Sequence, residues 1–441
     1  MNIELRGGPE TAGRSFVSGA SLQRNVAWAL AGNVGYSACQ WGILVCIAKL
    51  GSAIDVGRFG LGLALTAPII TLTNLHLRIL QATDAREDYP FGVYFALRLV
   101  STAVALAAIA VIALALGYRG ATFCLILAVA IAKAFEALSD VVFGLLQKAE
   151  TLRRVAASML AKGLLSIVAM AVGLRLTGRI VVATAAMAAV WGALLVLYDL
   201  PAAARLASIR PILVPRTLAQ LAWLALPVGL VAALGSLTTN VPRYAIEAKL
   251  GATALGHFVA LAYLFVAGSQ PIMALGAATN TRLARHFLTN PASYRRLTWR
   301  TILIAAGLGI LAVAGAALFG RSLLTLAYAP EYAEHAPLLV WLAVAAGFGF
   351  VASTLGYAVT AARRLAEQFP IACLNLAVCA VASHLLVPRY GLLGAAWAVL
   401  AAEATRLLCL AGVYAVSSAS SIRRASELAV CGAVDEAPTP G

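Results

Sequence analysis

The sequence predicts an all-α integral membrane protein of about twelve transmembrane helices in two six-helix lobes. Three observations carry that prediction. Of the 441 residues, 62% are hydrophobic and 12% charged, where an ordinary soluble domain carries about 25% charged residues. Apolar runs of about 20 residues, the length that crosses a bilayer, recur from one end of the chain to the other. A short motif also repeats: Lys49-Leu-Gly51 is followed by Gly57-Arg-Phe59, and Lys249-Leu-Gly251 by Gly256-His-Phe258.

Apolar patterning places the spans near residues 25–47, 57–77, 93–116, 121–146, 155–174, 180–198, 219–242, 254–276, 300–319, 337–360, 369–387 and 391–415. Residues 1–24 form a polar segment ahead of the first span. They do not read as a cleavable signal, because the first apolar run begins after Arg24 and is too long for an h-region. Each copy of the motif follows the first span of its half. An even number of spans separates the copies, so the halves run the same way, related by an axis along the membrane normal. The N-lobe then covers 25–198 and the C-lobe 219–416. Between them, 199–218 holds Pro201, Pro211, Pro215 and three arginines and reads as a linker. The tail 417–441 is short and polar and is expected to be disordered.

Charge orients this map. The N-terminus, the even-numbered loops and the tail hold about twenty Lys and Arg, among them Arg153, Arg154, Arg205, Arg210, Arg216, Arg282, Arg285, Arg295, Arg296, Arg363 and Arg364. The other side holds about nine, so the positive-inside rule puts both termini in the cytoplasm. The formal net charge of +15 therefore reports topology, and no nucleic-acid partner is expected.

The spans carry polar residues in stripes. Lys133, Glu136, Asp140 and Gln147 of the fourth span share one narrow face at about 100° per residue. Ionisable groups at that depth must face protein, each other or water. Either this face lines a polar pathway, or Lys133 pairs with Glu136 or Asp140 and merely locks helices together. The pathway is preferred, because bare ion pairs rarely offset their desolvation. Asn25, Asn33, Tyr36 and Gln40 form a second stripe in the first span. Ser236, Thr239, Asn240, Arg243 and Glu247 form a third in the seventh. Polar faces on repeat-related helices point to a central cleft; the alternative is hydrogen bonding that holds neighbouring helices together. Arg98 and Lys162 either face the cleft or snorkel to the interface. Arg406 lies deeper, with Glu403 three residues away to neutralise it.

Several chemistries find no support. The chain has no H-E-x-x-H, no G-x-x-x-x-G-K-[ST] and no G-x-S-x-G. Without a nucleotide-binding domain, ATP is not the direct drive. The seven cysteines lie mostly in apolar segments without C-x-x-C pairs, and the five histidines are scattered. Disulfides, a metal site and a cofactor are not expected. The short outer loops argue against a membrane polymerase, ligase or glycosyltransferase, so no enzymatic activity is expected.

Twelve spans in two lobes, the repeated Lys-Leu-Gly…Gly-x-Phe, Asn240-Val-Pro-Arg243-Tyr in the seventh span and Phe135-Glu136-x-x-Ser-Asp140-x-x-x-Gly144-x-x-Gln147 in the fourth resemble one family. They are similar to the Wzx-type polysaccharide flippases of the MATE-like (MOP) superfamily, over essentially the whole chain from Asn25 to Tyr414. The resemblance implies a V-shaped pair of lobes in the bacterial inner membrane. It implies alternating access that turns a polyprenyl-diphosphate-linked oligosaccharide outward for lipopolysaccharide, exopolysaccharide or capsule synthesis. It implies membrane lipids, a polysaccharide polymerase and chain-length proteins as partners. The cationic cavity of the family would draw here on Lys133, Arg243, Arg98, Lys162 and Arg406, with Asn33, Gln40 and Asn240 suited to sugar hydroxyls. Glu136, Asp140, Glu247 and Glu403 either balance that charge, the preferred reading, or bind a coupling ion. The alternatives are a cation-coupled multidrug exporter of the same superfamily, a membrane-embedded enzyme of envelope polysaccharide synthesis, and a scaffold.

Overall fold

The computed structural model of the chain describes residues 19–84, 86–364 and 366–435; most of the segment 1–24, with Arg6 and Arg14, lies outside them. The first half runs through α1 (Gly19–Leu50), α2 (Ala53–Asn74), the short α3 (Leu77–Thr83), α4 (Phe91–Ala115), α5 (Gly120–Lys148), α6 (Leu152–Thr177) and α7 (Ile180–Leu194). A π-helical turn, Leu195–Asp199, leads into the short α8 (Leu200–Ala204). The second half holds α9 (Pro215–Gly268), α10 (Gln270–Thr289), α11 (Pro291–Ala327), a 3₁₀ turn at Pro330–His335, α12 (Ala336–Ala361) and α13 (Gln368–Asp435).

Ten helical segments are long and apolar enough to cross a membrane among the described residues. Two contain a non-helical glycine: Gly251 in α9 (φ 83°, ψ 178°) and Gly391 in α13 (φ 58°, ψ −134°). Residues with a Cβ avoid these conformations, so each glycine divides its segment into two helices. Outward-facing Leu303, Ile304, Ile310, Leu311, Leu318 and Phe319 leave α11 with an exposed apolar surface suited to lipid. The tail departs from expectation. Residues 417–435 continue α13 rather than losing structure, since helix-forming residues run without Gly or Pro as far as Gly432; 436–441 lie outside the described residues.

The repeated motif builds the closest helix crossing. α2 lies along α9, and Gly57 packs against Ala252 just as Gly256 packs against Ala53. One apolar core surrounds this crossing and joins both halves through Ile43, Leu44, Phe59, Leu255, Phe258 and Val259. Trp41 Nε1 donates to Tyr328 Oη (2.7 Å) and Lys49 Nζ to the Leu326 carbonyl (2.8 Å). These ties cluster at the face away from the termini. At the terminal face, by contrast, Ala31, Asn33 and Val34 of α1 are exposed.

Candidate functional site

The polar face of α5 is occupied along its whole length. Lys133 Nζ lies 2.7 Å from Glu136 Oε2, and Tyr36 Oη donates to Glu136 Oε1 at 2.5 Å. The Lys133 ammonium also stands 5.4 Å over the Trp191 ring. One helical turn on, Asp140 accepts from Arg98 Nη2 and from Arg78 Nη1, each at 3.4 Å. Gln147 accepts from Arg78 Nε at 3.3 Å. A cavity of about 400 Å³ opens onto this row, lined by Asn74, His76, Arg78, Lys133, Glu136 and Asp140. Arg98 sits behind Asp140, fully buried, and donates also to Asn74 Oδ1.

A second cavity, of about 310 Å³, lies among α9, α12 and α13, lined by Thr238, Thr239, Arg243, Ser353, Glu403 and Arg406. Arg406 Nη2 is 2.7 Å from Glu403 Oε2 and donates to the Gly349 carbonyl at 3.1 Å. Arg243 is only 5% exposed. It donates to Asn240 Oδ1 (2.9 Å) and stands 5.6 Å over the Tyr263 ring. No carboxylate pairs with it among the described residues.

The structure therefore gathers Lys133, Glu136, Asp140 and Arg98 into one group. Arg243 with Asn240, and Arg406 with Glu403, adjoin the other cavity. Other expected residues fall elsewhere. Lys162 lines neither of these two cavities and does not snorkel: it is 2% exposed and its ammonium is 2.7 Å from Asp199 Oδ2, whose carboxylate is fully buried. Ser139 Oγ accepts from Lys162 at 2.5 Å, and Ser158 donates to the other Asp199 oxygen at 2.7 Å. Snorkelling also fails for Arg98. Both cations are drawn inward because a carboxylate waits there, which makes burial tolerable. Asn33 is exposed and bonds back to the Ala29 carbonyl. Gln40 is half-buried, one turn beyond Tyr36 on α1. Glu247 accepts from Tyr118 Oη at 3.0 Å, towards the face away from the termini.

Sequence reasoning missed Arg78, Asn74, Trp191, Asp199 and Tyr263. Arg78 follows Leu75 and His76, whose positive φ (50° and 48°) ends α2 and folds α3 back against α5. No hydropathy window reveals that turn. Asp199 ends the sixth span, and the π turn aims it at Lys162; its place at a span end was the available signal.

The comparisons fit this geometry. No family model matches the chain. The capsular polysaccharide biosynthesis protein CapF of Staphylococcus aureus is 26% identical over 399 residues, covering 88% of this chain and 98% of that protein. A point mutant of the Vibrio cholerae MATE transporter VcmN superposes with a TM-score of 0.62 at 15% identity, over 91% of this chain and 97% of that one. The fold is MATE-like. A MOP-superfamily transporter from Pyrococcus furiosus, reported to have a binding pocket of reversed polarity, gives a TM-score of 0.58 at 16% identity, over 91% and 95% of the two chains. The resemblance read from the sequence is thus borne out: this is a multi-pass, all-α membrane protein of MATE-like fold, similar to a polysaccharide-biosynthesis protein.

Proposed function

We propose that the chain turns a polyprenyl-diphosphate-linked oligosaccharide from the cytoplasmic to the outer leaflet of the bacterial inner membrane, by alternating access between two lobes at 25–198 and 219–416. The observation that carries this reading is Arg243, a buried guanidinium with no carboxylate partner among the described residues, beside a cavity that also holds Arg406. Such a cation is stabilised when an anionic group enters. A diphosphate cannot cross hydrocarbon without losing its hydration. Arg78, Lys133, Arg243 and Arg406 would replace that hydration, the arginines gripping two phosphate oxygens at once. Tyr36, Tyr263, Thr239 and Asn240 suit sugar hydroxyls, and the lipid tail stays in the bilayer.

Glu136, Asp140 and Glu403 each sit against a cation and serve in this reading as charge balance. A multidrug exporter shares the fold, and that likeness is what favours it; cationic drugs are poorly matched to cavities lined by arginine and lysine. Deleting the gene tests the proposal. The lipid-linked precursor should accumulate in the inner leaflet while surface polymer disappears, and both should recover with the wild-type chain. Normal surface polymer with heightened drug sensitivity would favour the exporter.

A further inference from the structure

At the terminal face, the start of α1 and the turn between α5 and α6 enclose a separate pocket of about 400 Å³, lined by Arg24, Asn25, Trp28, Thr151, Arg153 and Arg154. It shares no lining residue with the two cavities above. The Arg153 guanidinium lies 5.8 Å over the Trp28 ring. None of the three arginines forms an ion pair among the described residues. Glu150 also borders the pocket, in a turn where its φ is 56°; one carboxylate against three guanidiniums leaves an excess of positive charge. Thr151 gives its hydroxyl to the Leu146 carbonyl at 3.0 Å, and no side chain caps the first turn of α6. The uncapped amides and the helix dipole add to the positive potential.

The depth of the pocket matters as much as its charge. The apolar stretch of α1 begins at Ala27 and that of α6 at Leu152. Arg24, Arg153 and Arg154 therefore sit at the boundary between hydrocarbon and headgroups, the level at which tryptophan is enriched.

We propose that this pocket binds the phosphodiester headgroup of an anionic phospholipid from the surrounding leaflet. The guanidiniums hold the phosphate oxygens, and Trp28 packs at the level of the acyl esters. A zwitterionic headgroup brings its own cation, which three arginines disfavour. Clusters of basic residues between helices at this level select anionic lipids over zwitterionic ones. The bound lipid belongs to the scaffold, since it lies apart from the residues assigned to cargo.

Native mass spectrometry of the full-length protein, titrated with phosphatidylglycerol or phosphatidylcholine, tests this. Wild-type protein should retain phosphatidylglycerol selectively. Arg153→Ala with Arg154→Ala should weaken that binding roughly thirty-fold. Arg295→Ala with Arg296→Ala, an equal loss of charge elsewhere on the same face, should leave it unchanged. Melting temperatures in phosphatidylcholine establish that each variant is folded; should the Arg153/Arg154 variant fail there, Trp28→Ala replaces it and should lose the same selectivity. Equal weakening by both arginine pairs would reduce the effect to diffuse surface charge and overturn the site. So would retention that survives loss of the pocket arginines. Displacement of the lipid by inorganic phosphate, or a preference of this pocket for a polyprenyl diphosphate, would overturn the choice of a phospholipid.

Discussion

Gly57 and Gly256 face each other across the crossing of α2 and α9: a Cβ built on either would lie 3.0 Å from the backbone nitrogen of the other. The same Cβ atoms would meet the carbonyl oxygens of Ala252 at 1.8 Å and Ala53 at 1.9 Å. Backbone blocks both positions, and backbone cannot swing aside as a side chain can. Gly57→Ala is expected to cost about 1–3 kcal/mol by overpacking and to lower the melting temperature. Gly412→Ala, where nothing lies within 4 Å, should be neutral or slightly stabilising. Equal melting temperatures for wild type and Gly57→Ala would refute the tight crossing.

Lys133 and Glu136 are each about a quarter exposed to the cavity and bonded to each other. Removing one strands its partner, so Lys133→Met or Glu136→Gln alone should cost about 1–2 kcal/mol, less than the 3–5 kcal/mol of a fully buried pair because both side chains are partly exposed. The double variant should melt near wild type while surface polymer is lost, because the cation has gone. Thermal melts beside polymer quantification check both halves of the expectation.

Lys162 and Asp199 give the opposite pattern. Their pair is buried and lines neither cavity. Lys162→Met should cost about 3–5 kcal/mol and cut protein abundance. Lys162→Met with Asp199→Asn should recover much of that stability, and transport per molecule should stay near wild type. A stable double variant that transports nothing would return Lys162 to the site.

Among the described residues, Glu247 has only the neutral Tyr118 hydroxyl as a hydrogen-bond partner, whereas Glu136, Asp140 and Glu403 each touch a cation. An ion gradient, if it drives transport, should therefore act through Glu247. Glu247→Gln is expected to leave folding intact and to flatten the response of transport in vesicles to an imposed pH gradient. Glu136→Gln should lower stability without removing the response. A response that persists in Glu247→Gln and vanishes in a stable Glu136→Gln would reverse the assignment.

The legible parts of this molecule are those that a helix encodes locally. The face shared by Lys133, Glu136, Asp140 and Gln147 follows from helical period alone, and all four find partners on it. The repeat around Gly57 and Gly256 was legible as a repeat, but the crossing of α2 and α9 that these glycines form was not, because sequence does not show which helices pack together. Arg78 and Asp199 were not legible. Each depends on a local break, the left-handed residues Leu75 and His76 for one and the π turn for the other, and each reaches a partner many residues away. Snorkelling failed for Lys162 and Arg98 for the same reason: sequence shows the depth of a cation but not the carboxylate that awaits it.

The most direct measurement places the purified chain in proteoliposomes with a labelled polyprenyl-diphosphate-linked oligosaccharide and follows accessibility of the sugar to an impermeant glycosidase. Wild-type protein should convert the protected inner-leaflet pool to a digestible one over time. Arg243→Ala, equally folded, should slow that conversion at least tenfold, the loss of about 1.4 kcal/mol or more of interaction, and Arg243→Lys should restore part of it. Sugar that stays protected with wild-type protein, or conversion at the same rate in wild type and Arg243→Ala, would contradict the account.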